Sequence, residues 1–195
     1  MTESAASSGE TGRRAVFLDR DGTINREVEY LHREEEFEWI PGAPEAIARL
    51  NRAGFLVIVV TNQAGVAHGL YTEDDVDSLH RFITSELEKA GARIDAYYYC
   101  PHHPDAAIET YRQNSSRRKP APGMLLEAAE EYAIDLAGSF LVGDKLIDVE
   151  AALAVGATPV LVETGYGSEA RAAGLAPVVV ANVTQAVDWI LSHEV

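Results

Sequence analysis

Apolar positions in this chain follow two rhythms that take turns. Short unbroken runs, Ala15-Val16-Phe17-Leu18 and FLVIVV (55–60), hold no polar residue that could face water. A run of that kind predicts a strand covered on both faces. SFLVG (139–143) and TPVLVE (158–163) read as strands too; IDAYYYC (94–100) is another candidate, and APVVVA (176–181) adds a short one. Between the runs, apolar residues return at helical spacing. Over 43–53, Ile47 and Leu50 share a face and Gly54 is a stop signal. Thr72 with Asp75 forms a variant of the capping box, ahead of a stripe of Val76, Leu79, Ile83 and Leu87. Further helices are predicted over 122–133, begun by Pro122, over 147–155, ended by Gly156, and over about 184–192.

Strands that alternate with helices, without long hairpin signals, predict an α/β fold with a parallel sheet and helices on both faces. No repeat or second domain is visible. The expectation is one domain over residues 13–195, preceded by a small polar tail, residues 1–12, expected to be disordered. A single cysteine excludes an intrachain disulfide, and no apolar run approaches a membrane span. These features suit a cytoplasmic protein with no membrane partner. The net charge of -15 argues against a nucleic-acid partner, which calls for clustered Lys and Arg. A small anionic substrate stays compatible with it, because local charge can override the global field.

Candidate chemistry gathers where strands end. AVFL runs into Asp19, FLVIVV into Thr61-Asn62-Gln63, and SFLVG into Asp144-Lys145. Open α/β sheets bind ligands at the carboxyl ends of their strands, so neighbouring strands would bring these groups into one site. Asp19 and Asp21 are two residues apart, ahead of a turn favoured by Gly22; Asp144 and Asp148 lie on a separate strand-to-helix turn. Clustered carboxylates repel unless a cation joins them, and an all-oxygen set suits Mg²⁺. Read singly, Asp19 could merely end a strand and Asp144 merely cap a helix.

"FLDRDGTIN" resembles the first motif, Asp-x-Asp-Gly-Thr, of the haloacid-dehalogenase-type (HAD) phosphatases. Thr61 matches their second motif, Lys119 their third and "GDKLID" (143–148) their acidic fourth, in order across residues 15–148. The resemblance implies a three-layer Rossmann-like core without a full cap domain. It implies Asp19 as nucleophile, Asp21 as general acid and base, and Thr61 and Lys119 as stabilisers of the transferred phosphoryl group. Mg²⁺ would be held by Asp19, the backbone carbonyl of Asp21, and Asp144, with Asp148 in support behind them.

Four stretches, "FLDRDGTIN", "TNQAGVAHG" (61–69), "YCPHHP" (99–104) and "RRKPAPGML" (117–125), are similar to the subgroup acting on heptose bisphosphates or histidinol phosphate. The heptose 1,7-bisphosphate 7-phosphatases are the nearer match. Histidinol phosphate or another small sugar phosphate is the alternative substrate, and a non-catalytic binding protein on the same fold is the alternative class. By resemblance, substrate contacts fall on Asn25, Glu27, Tyr30, Asn62, Gln63, Arg118 and Lys145, and selection falls to loops 25–40, 63–71 and 101–118. The run HREEEFEW (32–39) reads as a solvated acidic face. Zinc-bearing members of the subgroup supply Cys-x-His and then Cys-x-Cys from loop 101–118. Here Cys100 and His102 keep the first pair, while Ser115 and Arg117 stand in the second. Two ligands fall short of a closed tetrahedral site, so no tightly bound structural zinc is expected. The expected protein is a monomeric, Mg²⁺-dependent sugar phosphatase.

Overall fold

In the computed structural model, which describes residues 12–193, the apolar runs become six strands of one sheet. They are β1 (Ala15–Leu18), β2 (Leu56–Asn62), β3 (Ala96–Cys100), β4 (Phe140–Gly143), β5 (Thr158–Val162) and β6 (Val178–Val180). Their order is β3-β2-β1-β4-β5-β6, and every pairing is parallel. The chain walks outward from β1 to β3, then crosses back to place β4 on the other side of β1. That reversal leaves a crevice at the carboxyl ends of β1 and β4, the usual ligand position in such sheets. The expected tail lies outside the described residues except for Gly12.

Helices α1 (Ala43–Arg52), α4 (Gly123–Tyr132), α5 (Leu146–Ala154) and α7 (Val183–Ser192) match the predicted ones to within one or two residues, and α3 (Glu73–Lys89) starts directly after Thr72 and carries the expected stripe. Both halves of the Thr72–Asp75 capping box form at the start of α3, with bonds of 2.8 and 3.2 Å. Two four-residue helices, α2 (Ala64–Ala67) and α6 (Gly167–Ala170), were not predicted, since one turn is too short to show a period. β2 runs two residues past FLVIVV because Thr61 and Asn62 continue the ladder opposite Tyr99 and Cys100.

Alternation along the strands builds the layers. Val16, Leu18, Val57 and Val59 face a core closed by α1, α3 and α7. Ala15, Phe17, Ile58 and Val60 face a second core closed by α4 and α5. No large insertion follows β1: segment 20–42 folds back through bridges joining Asp21 to Asn25 and Asn25 to Trp39. Its acidic residues Glu34–Glu36 are exposed, while Phe37 and Trp39 meet edge to face at 4.8 Å and pack on the core. No helix among the described residues is long and apolar enough to cross a membrane.

Candidate active site

Asp19 is the first residue beyond β1, and its N–H donates to Val142 O of β4 at 2.9 Å. Asp144 follows β4 directly, and Asp148 stands one turn into α5. These three buried carboxylates each offer an oxygen within 4.8 Å of the others, the one such group of three or more His, Cys, Asp or Glu side chains among the described residues. Lys119 enters between two of them. Its Nζ donates to Val60 O at 2.8 Å and forms ion pairs with Asp148 Oδ1 at 2.6 Å and Asp19 Oδ1 at 3.0 Å. Asn62 fixes the lysine's backbone from both sides, its amide giving to Lys119 O and taking from Lys119 N–H at 3.0 Å each. Burial disfavours the ammonium, but the Asp148 and Asp19 carboxylates outweigh it and hold its pKa above the ordinary lysine value.

The remaining acid is under strain of charge. Burial first, then the Asp19 carboxylate, push Asp144 up to about 8. Burial likewise raises Asp148 to about 6 against the pull of Lys119. Asp144 Oδ2 accepts from Tyr166 N–H at 2.9 Å, but its buried Oδ1 has no hydrogen-bond donor, and Lys145 Nζ stands 3.8 Å away. A buried, unpartnered carboxylate oxygen beside a second carboxylate fits a hard divalent cation such as Mg²⁺. Glycine makes the approach possible. A Cβ at Gly22 (φ 84°) or Gly165 (φ 56°) would collide with the Asp144 carboxylate.

Asp21 points into a cage of donors. Arg20 Nε and Asn25 Nδ2 give to its Oδ1 at 3.1 and 3.0 Å; Arg20 Nη2 and Gln63 Nε2 give to its Oδ2 at 2.9 and 3.2 Å. Burial alone would raise its pKa, but the Arg20 guanidinium with the Asn25 and Gln63 amides brings it below the ordinary carboxylate value. Gln63 also donates to Thr61 Oγ1 at 2.8 Å and accepts from Tyr71 Oη at 2.7 Å, which ties β2 to the cage. Behind Arg20, burial and the guanidinium push His80 down to about 3, so it is neutral near pH 7.

Asp21, Glu27, Tyr30, Gln63, Lys145 and Tyr166 line a cavity of about 320 Å³. Lys145 pairs with Glu27 at 2.9 Å and lies 4.8 Å from the centre of the Tyr166 ring. Asn62 also lines it, with its amide already engaged by Lys119, and Asn25 is buried beneath it against Asp21. Arg118 does not share this cavity. It lines a neighbouring hollow of about 520 Å³ with Lys119, and its Nη1 donates to His102 O at 3.2 Å. In loop 101–118, Cys100 Sγ lies 4.0 Å from His102 Nδ1. Ser115 Oγ accepts from Arg117 N–H at 3.2 Å, and Arg117 pairs with Glu127 at 3.1 Å.

Three groups escaped the sequence reading. Arg20 sits inside the first motif but was assigned nothing. Thr164-Gly165-Tyr166 reaches the site from the end of β5, where Thr164 Oγ1 donates to Gly22 O at 2.6 Å. The strand-end rule that found Asp19 and Asp144 would have found it. Glu73 accepts from both Tyr99 at 2.9 Å and Tyr111 at 2.8 Å, a junction between loop 101–118 and α3 that no spacing announces.

Family models agree with this geometry. One described as polynucleotide kinase 3 phosphatase matches residues 15–149, and one described as HAD-hydrolase-like matches residues 116–186. With its parallel sheet and aspartates flanking the switch point, the protein is a phosphatase of the HAD type. It is 48% identical over 144 residues to a D-glycero-beta-D-manno-heptose-1,7-bisphosphate 7-phosphatase of Rhodopseudomonas palustris, covering 74% of this chain and 80% of that one. To the protein of the same name from Escherichia coli K12 it is 42% identical, covering 91% and 88%. A crystal structure of D,D-heptose 1,7-bisphosphate phosphatase from B. bronchiseptica, complexed with magnesium and phosphate, superposes with a TM-score of 0.84. It is 34% identical and covers 93% of this chain and 99% of that chain. The chain belongs to the family that these heptose-bisphosphate phosphatases form.

Proposed function

We propose that this protein removes the 7-phosphate of D-glycero-D-manno-heptose 1,7-bisphosphate, with Asp19 as nucleophile and Asp21 as general acid and base. The observation that carries the reading is the pairing of two differently held carboxylates, Asp19 bound to Lys119 and Asp21 caged by Arg20, beside a polar cavity of about 320 Å³.

Asp19 Oδ attacks phosphorus, the bond to the sugar oxygen breaks, and that oxygen takes its electron pair and a proton from Asp21. An incoming phosphate dianion adds negative charge near Asp21, which favours the protonated form the first step requires. Asp21, now ionised, then takes a proton from water as the water attacks phosphorus and releases Asp19. Lys119 and Thr61 hold the phosphoryl oxygens as charge shifts among them. Asp19, the Asp21 carbonyl and Asp144 would hold Mg²⁺, and Asp148 keeps Lys119 in place. When bound, the ion neutralises phosphate charge so that one anion can approach another.

Asn25, Glu27, Tyr30, Asn62, Gln63 and Lys145 form or support the sugar pocket, and Arg118 meets the phosphate that is not cleaved. Residues 13–195 act as one domain, and loop 101–118 is held without zinc. On this reading the enzyme works in the cytoplasm, in carbohydrate metabolism, and as a monomer. The match to a polynucleotide 3′-phosphatase model favours one second reading, hydrolysis of a nucleic-acid 3′-phosphate end, against which the charge of -15 weighs. A panel with Mg²⁺ decides: both anomers of heptose 1,7-bisphosphate, histidinol phosphate, simple sugar phosphates and a 3′-phosphorylated oligonucleotide. Highest kcat/KM on a heptose bisphosphate is expected; preference for any other member of the panel overturns the substrate.

A further inference from the structure

Arg20 is the largest fully buried side chain of the described residues, and it lies between the two aspartates of the first motif. A guanidinium in such a place needs a reason. Nothing in the mechanism above has it touch phosphate. Its fork instead closes on its neighbour, Nε to Asp21 Oδ1 at 3.1 Å and Nη2 to Asp21 Oδ2 at 2.9 Å. The fork is itself anchored: Nη2 also reaches Leu31 O at 3.0 Å and Gln63 Oε1 at 3.2 Å, and Nη1 lies 3.4 Å from His80 Nε2. Anchors on segment 20–42, on the end of β2 and on α3 thus converge on one planar group, which sets the plane and reach of the Asp21 carboxyl.

We infer that Arg20 is a positioning residue for proton transfer, a rigid bidentate template that fixes the Asp21 carboxyl against the leaving oxygen. This rests on the reading of Asp21 as general acid and base. A carboxyl displaced by an ångström loses alignment with the oxygen it must protonate, at a cost on the order of 10²-fold in rate. Lysine cannot take the place, because an ammonium is a point charge and does not define a plane.

The requirement differs between substrates. When Asp19 attacks an alkyl phosphate, the departing alkoxide is a strong base and needs the proton from Asp21 as the P–O bond breaks. When it attacks p-nitrophenyl phosphate, the departing phenolate is a weak base and leaves without one. The test measures kcat/KM on heptose 1,7-bisphosphate and on p-nitrophenyl phosphate for the native protein, Asp21→Asn, Arg20→Lys and the double variant. Circular dichroism and thermal melting confirm folding. Arg20→Lys is expected to lose about 10² to 10³-fold on the sugar phosphate and under about tenfold on the aryl ester. In the Asp21→Asn background it is expected to lose nothing further. Equal losses on both substrates, additive losses in the double variant, or unchanged kcat/KM overturn the inference. If Arg20→Lys does not fold, Arg20→Gln, which keeps one donor and the stem, carries the same comparison. If Asp21→Asn itself shows no difference between the substrates, the assignment of Asp21 fails; if Asp21→Asn discriminates and Arg20→Lys does not, only the role of Arg20 fails.

Discussion

Two groups of polar side chains lie at the carboxyl edge of the sheet, and they are held by opposite means. At the ends of β1 and β4, Asp19, Asp144 and Asp148 are buried together with one buried ammonium, Lys119, between two of them, and the half-buried Lys145, also paired with Glu27, stands 3.8 Å from Asp144. In loop 101–118, the Cys100–His102 pair has no such partners. Loop and α3 are joined by neutral donors on one carboxylate, Tyr99 and Tyr111 on Glu73, with Val66, Tyr71 and Val76 packed alongside. The first group is short of positive charge and is suited to a cation. In the second, Glu73 already accepts from two tyrosine hydroxyls, and the loop is proposed to hold without an ion.

That contrast can be broken at several points. The largest effect is expected from Asp19→Asn, which removes the attacking oxygen anion and keeps the shape. Phosphate release should fall by about 10⁴-fold or more; activity within tenfold of the native enzyme would remove Asp19 from its role. Next comes withdrawal of divalent cations by EDTA and dialysis. Activity should fall by about 10²-fold or more and return with Mg²⁺, while the near-ultraviolet circular dichroism is expected to stay unchanged, on the proposal that loop 101–118 is held without an ion. One tightly bound zinc per chain in metal analysis would contradict the second half. The smallest effect belongs to the loop. Tyr111→Phe and Glu73→Gln each weaken the junction with α3, at a stability cost of about 1 kcal/mol. KM for the bisphosphate should rise a few-fold with kcat nearly constant, and a fall in kcat alone would show that the loop takes part in chemistry.

The layered fold was open to reading because the central strands β1, β2 and β4 are built on unbroken apolar runs and each long helix has a periodic stripe, so burial on two faces or one was written into the pattern. The site was open for the same reason: Asp19, Thr61 and Asp144 each stand where such a run stops. Arg20 was not, since a guanidinium beside an aspartate has no period and its partners Leu31, Gln63 and His80 are far apart in sequence. Nor was the Glu73 junction, which depends on β3 and α3 being brought together by the sheet order. Asn62 illustrates a third case: its position at the site was legible, but its engagement with the Lys119 backbone needed three dimensions.

The central claim is that Asp19 carries the phosphoryl group. Borohydride reduces an acyl phosphate to an alcohol, so turnover quenched into borohydride and followed by peptide mass analysis reads the nucleophile directly. Homoserine at position 19 is the expected result. Homoserine at position 21, 144 or 148, or none at any position while substrate is turning over, would contradict it.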